Sequence, residues 1–275
     1  LVGSEMCIRD RIKEVLGHTK MAKKPGIAIA HWMVMIGFLL GSLVWFEAYI
    51  QIFNPEGGWP IIGKWGIYHF VDELLGLGTV IGIIALIIVR QNIGDKEKKA
   101  RFYGSNTGAA YFVEAVVLIE GLGMIFVKAS KIATFASYEG GHVATDFFTM
   151  QLAKILPESP LLVSIFALIK LLSGMIWLFI VGMNIKWGVA WHRFMAFFNI
   201  FLKRNSDGRN ALGAAKPLTS GGRMLTMENA DPEEDAIGVG KIDDFTWKGW
   251  MDFTSCTECG RCQEQCPAWN TAKPL

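Results

Sequence analysis

Four long apolar stretches dominate this chain and leave few folds open to it. They cover about residues 27–50, 69–89, 110–129 and 161–183. As helices, each can cross a hydrocarbon core of about 30 Å. Lipid offers no hydrogen bonds, so a spanning segment must pair its own backbone groups, and a helix does this within itself. The composition agrees: 52% of residues are hydrophobic and only 19% charged, against about 25% charged in an ordinary soluble domain. The expected fold is an all-α polytopic membrane bundle. A net charge of +2 says nothing about nucleic acid, but no basic tract is interleaved with exposed aromatics, and no nucleic-acid partner is expected. The first 26 residues are polar and basic without an apolar h-region, so no cleavable signal peptide is visible.

The remaining segments have distinct characters. Residues 1–26 bring together Arg9, Arg11, Lys13, Lys20, Lys23 and Lys24, with Ile8, Ile12, Val15 and Leu16 at helical spacing. They read as an amphipathic helix on the cytoplasmic membrane surface; the alternative is a disordered leader. The membrane domain runs over 27–204 and includes an aromatic stretch, 187–202, interrupted by His192, Arg193 and Asn199. That stretch is either an interfacial helix or an extension of the fourth span. Residues 205–250 form an acidic linker with Glu228, Asp231, Glu233, Glu234 and Asp235, and 251–275 hold four of the five cysteines. Lys and Arg crowd the N-terminal segment, the connector with Lys96, Lys98, Lys99 and Arg101, and the segment from Lys186 to Arg209. The positive-inside rule then puts both termini in the cytoplasm of a multi-pass cell-membrane protein.

The cysteines carry the chemistry. Cys256, Cys259, Cys262 and Cys266, followed by Pro267, form a C-x2-C-x2-C-x3-C-P run. This is the ligand spacing of a bacterial-type [4Fe-4S] site, whose fourth cysteine serves the other cluster in two-cluster ferredoxins. A zinc site would present two Cys pairs across a longer spacer, and a disulfide framework suits neither the clustering nor a reducing compartment. Cys7 is the fifth cysteine, at the far end. These residues mark the start of a cytoplasmic α-helical ferredoxin-type iron-sulfur domain, with Cys266 assigned to this cluster or to a second one. A single run leaves such a domain incomplete, so the chain is expected to end mid-domain, as a fragment of something longer, or to have its site completed by a partner chain.

Titratable groups at membrane depth supply further candidates. The topology places His31 and His192 at the cytoplasmic level, where two imidazoles from different helices can hold a b-type haem; the plain alternative is polar helix ends among headgroups. No C-x-x-C-H is present, which excludes covalent c-type haem. His69, beside Asp72 and Glu73, is a candidate for haem, quinone or proton binding, with His142 in the outer loop. Glu120 and Lys170 lie at similar depth in adjacent spans and are expected to face each other, because a lone charge in lipid is costly. Structural pairing and a proton path both remain open for them. Glu47, Asp72 and Glu73 cluster at the outer helix ends, around a wet cavity or merely at the interface. No catalytic residue is identifiable.

Single-electron carriers on a membrane base imply a lipophilic acceptor, most simply a quinone. At this point the sequence resembles the actinobacterial membrane oxidoreductases that join a nitrate-reductase-gamma-like haem b domain to a heterodisulfide-reductase-like iron-sulfur domain, the electron-transfer-flavoprotein dehydrogenase type. The likeness rests on Pro25-Gly26-Ile27, His31, Arg101-Phe102-Tyr103-Gly104-Ser105, Gly240-Lys241-Ile242, Asp244-Phe245-Thr246-Trp247-Lys248-Gly249 and Cys256 through Pro274. It implies electron uptake from reduced electron-transfer flavoprotein during fatty-acid β-oxidation. It further implies two [4Fe-4S] clusters in the full protein, haem b on His31 and His192, and menaquinone as acceptor. One departure is clear: the family places histidines within its last span, where this chain has Lys170. A second cysteine run, CCG-type modules and an extra N-terminal span of the family are missing, so the resemblance implies an N-terminal fragment inactive by itself. The competing readings are a heterodisulfide-, lactate- or glycerol-phosphate-type dehydrogenase subunit, a membrane anchor or electron-relay subunit, and a structural or transport protein.

Overall fold

The computed structural model describes residues 8–92, 106–204, 217–231, 233–235, 238–259, 262 and 266–271. Cys7, the basic connector residues and the block Arg101 to Ser105 lie outside the described residues. The chain divides into two units. One comprises residues 20–184 with 260–275, and the other residues 1–19 with 185–259.

The first unit is a four-helix bundle built from α1 (Pro25–Phe53), α2 (Gly66–Asn92), α3 (Thr107–Thr134) and α5 (Pro160–Met183), with a short helix α4 (Thr149–Ala153) in the last connection. All four long helices are apolar enough to cross a membrane, and even the shortest, of 24 residues, is about 36 Å long at 1.5 Å per residue. Their ends are written locally. Pro25 and Pro160 open α1 and α5 where a missing N–H costs nothing. Asn106 caps α3 by accepting the Ala109 N–H at 2.9 Å, and Ser159 caps α5 by accepting the Leu162 N–H at 3.3 Å. The helices begin and end a few residues beyond the apolar windows, because capping and turn residues, not hydropathy alone, stop a helix.

Successive helices alternate in direction, and each packs on its ring neighbours: α1 on α2 and α5, α3 on α2 and α5. The core is small-residue packing: Ala48, Val127, Val163, Ala167 and Leu171 make one cluster, Val44, Leu75 and Met124 another. Large side chains point the other way: Leu39, Leu43, Phe46, Ile81, Ile84, Leu168, Leu172, Ile176 and Phe179 are exposed. That inversion suits a bundle whose outer solvent is lipid, where close backbone approach drives helix association. At the α1–α2 seam, a methyl group at Gly82 would lie 2.7 Å from the Ala30 carbonyl oxygen.

In the second unit residues 8–16 are helical, with π-type bonding over Ile12–Leu16. Helix α6 (Gly188–Phe201) follows the bundle in sequence, and α7 (Trp247–Thr254) precedes the cysteines. The N-terminal helix is tied to α6 and its end. Arg11 stacks over the rings of Phe197 and Phe201 at 4.6 and 4.5 Å, and Arg204 pairs with Asp10 at 2.6 Å. Lys203 reaches both Asp10 and Glu14. Ile8, Ile12 and Leu16 stay exposed. The acidic linker holds a two-stranded hairpin, β1 (Thr219–Ser220) with β2 (Arg223–Met224), braced by Arg223 on Asp235 at 2.8 Å.

Candidate functional site

The cysteine run begins where α7 ends. Thr246 caps α7 by accepting the Gly249 N–H. Lys248 bonds Asn199 and Asp252, and the Asn199 amide donates to the Ser255 hydroxyl at 2.5 Å. These contacts clasp α7 to α6. Gly188, the first residue of α6, lies against the Thr254 and Cys256 carbonyls with no room for a side chain. The first thiol of the run therefore starts beside the helix that carries His192. Beyond Cys256 the backbone leaves regular structure, and Glu258 adopts a left-handed φ of 53°, which turns the chain between Cys256 and Cys259.

The donor set fits an iron-sulfur cluster by chemistry and spacing. All four cysteines are free thiols; Cys256, Cys259 and Cys262 are exposed and Cys266 is half-buried. Cys256 and Cys259 belong to one unit, Cys262 and Cys266 to the other. Among the described residues no three ligand side chains gather around one point, and the intervening Gly260, Arg261 and 263–265 lie outside them.

His192 donates its Nδ1–H to the Val189 carbonyl at 2.7 Å. With the proton on Nδ1, Nε2 is the basic nitrogen, the arrangement that orients a metal-ligating histidine. His31 is half-buried near the start of α1 and belongs to the other unit. His142 is an exposed loop residue.

The bundle has a second polar centre at the end where the 54–65 and 135–159 connections lie. Lys128 of α3 is its hub. Its ammonium sits 2.6 Å from Asp146, 3.2 Å from Glu73 and 3.8 Å from Asp72, and donates to the His69 carbonyl at 2.6 Å. Glu73 accepts from the Phe148 and Thr149 N–H groups and the Thr149 hydroxyl, pinning the α4 connection onto α2. Asp146 accepts from the Gly141 and His142 N–H groups and the Thr145 hydroxyl. Burial alone would raise the Asp146 carboxyl, but the Lys128 ammonium and the Thr145 hydroxyl outweigh it and hold it below the usual carboxylate range. Burial, reinforced by the surrounding carboxylates, pushes the Tyr138 hydroxyl well above its ordinary value.

One turn along α3, Lys131 donates to the Gly57 carbonyl at 2.8 Å and lies over the Tyr138 ring at 4.6 Å. Glu47 of α1 accepts from the Tyr68 hydroxyl at 2.6 Å and the Trp59 N–H at 3.2 Å. The His69 ring packs edge-on to Tyr138, with Nδ1 3.2 Å from its hydroxyl. Glu47, Asp72 and Glu73 are thus drawn into one buried cluster. Deeper in the bundle, Lys170 donates to the Val44 carbonyl at 2.9 Å, and Glu120 accepts from the Ser173 hydroxyl at 2.7 Å. The Ser173 hydroxyl also reaches the Lys170 carbonyl at 2.8 Å, so serine links the two residues where a direct ion pair was expected.

Sequence reading singled out Glu47, His69, Asp72, Glu73, Glu120 and Lys170 but passed over Lys128, Lys131, Tyr138 and Asp146. The available signal was Lys128 and Lys131 at i, i+3 near the end of an apolar helix, one face bearing two cations. Ending the third span at Ala129 hid it.

No protein-family model matches the chain, and no solved structure matches it. Curated proteins do. The chain is 24% identical over 268 residues to the "EtfAB:quinone oxidoreductase" of Syntrophomonas wolfei, covering 93% of this chain and 34% of that protein. It is 31% identical over 101 residues to the "Probable iron-sulfur-binding oxidoreductase FadF" of Bacillus subtilis, covering 34% of this chain and 14% of that protein. It is 36% identical over 87 residues to the "Probable membrane-anchored ferredoxin" of Chromohalobacter salexigens, covering 32% of this chain and 11% of that protein. The chain thus spans about a third of the first relative's length and less of the others. The chain joins four helices apolar enough to cross a membrane to a cysteine run at cluster spacing, and it is similar to curated oxidoreductases and to a membrane-anchored ferredoxin.

Proposed function

We propose that this chain is the membrane portion of an oxidoreductase that takes electrons from reduced electron-transfer flavoprotein and delivers them to menaquinone, with [4Fe-4S] clusters and haem b as carriers. The observation that carries this reading is the cysteine run itself, four free thiols at cluster spacing whose first member packs against the helix that follows the last span. The name of the Syntrophomonas relative supplies the donor and acceptor classes.

Cys256, Cys259 and Cys262 would hold one cluster, with Cys266 completing it or serving a second. His192 and His31 would be the axial haem ligands. These groups supply one-electron transfer when bound. The chain's own contribution is positional: α6 and α7 hold the start of the run, and the Val189 carbonyl orients the His192 ring. His69, its ring edge-on to Tyr138 with Nδ1 3.2 Å from the hydroxyl, would be a weaker candidate for a haem or quinone role. The positive-inside argument puts the cysteines and both ends of the chain on the cytoplasmic side, where a soluble flavoprotein donor can reach them.

A second reading, a membrane anchor or electron-relay subunit for a heterodisulfide-reductase-like or other respiratory dehydrogenase, is favoured by the membrane-anchored ferredoxin relative. The test is a reduced-minus-oxidised visible spectrum of the detergent-purified full-length protein, with iron and sulfide measured on the same sample. Reduced electron-transfer flavoprotein is then added with a menaquinone analogue. The proposal expects cluster iron, a b-type haem band lost in His31→Ala and His192→Ala, and quinone reduction. Cluster iron without haem removes the histidine assignment, and no electron uptake from the flavoprotein favours the relay.

A further inference from the structure

The buried centre around Lys128 is not balanced in charge. Glu47, Asp72, Glu73 and Asp146 are four carboxylates, and Lys128, Lys131 and Lys170 are three ammonium groups; all seven side chains are at most 8% exposed. Glu120, half-buried further along α3, widens the deficit. Charges taken out of water must be paired or neutralised, so one carboxylate here has reason to keep its proton.

The hydrogen bonds say which one. Glu73 accepts three bonds and Asp146 accepts three besides its ion pair. Glu47 accepts two, one at each oxygen. Asp72 is the least satisfied: one oxygen is 3.8 Å from Lys128, and the other, Oδ1, is buried without a partner. A carboxylate left this way is costly; a protonated acid is not. His69 need not hold the missing charge, because its Nδ1 lies 3.2 Å from the Tyr138 hydroxyl, which can donate to a neutral imidazole.

A cavity of about 10 Å3 lies beside Asp72, lined also by Glu47, Gln51, Tyr68, Lys131 and Lys170. That is room for about one water. Gln51, 3% exposed, brings a second buried unpartnered oxygen to it, Oε1. The charged and titratable groups lining this cavity come from every neighbouring element: Glu47 on α1; Tyr68 on α2; Lys128 and Lys131 on α3; Tyr138 in the 135–159 connection; and Lys170 on α5; Glu73 and Asp146 stand behind Lys128, and His69 behind Tyr138.

We propose that this cavity is a proton site: Asp72 is held as a neutral carboxylic acid that donates to a single buried water, which in turn bonds Gln51. The site stands independently of which donor feeds the cysteine run.

The test is infrared spectroscopy of the full-length protein in lipid vesicles at neutral pH, in H2O and in D2O. A protonated-carboxyl C=O band that shifts in D2O is expected, lost in Asp72→Asn and retained in Glu73→Gln. Gln51→Leu should move that band without removing it, because the water loses a partner. Asp72→Asn should also melt like the wild type, since an amide replaces a group that is already neutral. Absence of such a band, its survival in Asp72→Asn, or an unmoved band in Gln51→Leu overturns the proposal. A large loss of stability in Asp72→Asn does the same, because it marks an ionised Asp72.

Discussion

Gly123 on α3 and Lys170 on α5 pack so closely that a methyl group at position 123 would come within 2.8 Å of both Cβ and Cγ of the lysine. This contact lets the fully buried Lys170 lay its stem against α3 and bring its ammonium to the Val44 carbonyl on α1. Atoms that near the backbone cannot swing aside, so Gly123→Ala should destabilise the bundle by about 1–3 kcal/mol. Reversible unfolding in mixed micelles measures it. A variant as stable as the wild type would show that the seam opens freely.

Lys128 and Lys170 are both buried lysines, yet they should respond differently to loss of charge. Lys128→Met leaves Glu73 and Asp146 without their shared cation, a loss of about 3–5 kcal/mol. Lys170 donates a hydrogen bond to a backbone carbonyl, so Lys170→Met should cost less, about 1.5–3 kcal/mol. Melting of the two variants side by side decides it, and equal losses would contradict the hub role of Lys128.

Asp146 makes part of the stability depend on pH. Its carboxyl is held below the ordinary value in the folded protein, so its contribution is complete above the unfolded pKa of about 3.9 and fades as pH falls through the lower folded value. The gap in melting temperature between wild type and Asp146→Asn should be full at neutral pH and shrink in acid. A gap that grows in acid would reverse the sign.

At the cysteine run, Cys256→Ser or Cys259→Ser should lower iron and acid-labile sulfide together in the purified full-length protein. Zinc content should stay negligible throughout. Zinc in place of sulfide would identify a structural zinc site held by the four thiolates instead.

Arg11 caps the rings of Phe197 and Phe201, and its neighbour Asp10 is held below the usual carboxylate range chiefly by its hydrogen bond from Arg204. Arg11→Ala should loosen residues 8–16 from α6 at a cost of about 0.5–2 kcal/mol. Faster proteolysis in that stretch, with the bundle intact, is the expected readout; an unchanged cleavage rate would show that the ion pairs alone hold it.

Much of this was legible in the chain. Unbroken apolar runs have one stable form in lipid, so the four spans could be read directly, and the spacing from Cys256 to Pro267 is what points to cluster chemistry. The N-terminal stripe of Ile8, Ile12 and Leu16 was readable too, and the helix is present. Its docking on α6 was not, because the cation–aromatic contacts and ion pairs join residues nearly two hundred positions apart. Glu120 and Lys170 were expected to face each other at one depth, but depth does not give rotation about the helix axis. Rotation sent each to a different partner, Ser173 and Val44.

By itself, then, the sequence determined what depends on local composition: membrane spans, helix caps and a cysteine run of cluster spacing. Tertiary structure alone decided which buried charges share a site. It drew Glu47, Asp72, Lys128 and Asp146 from three helices and a connection into one place and left a water-sized cavity among them. The physical reason is that a charge in the membrane must find a partner, and partners are chosen by the seams where glycine lets helices touch, which no one-dimensional pattern records.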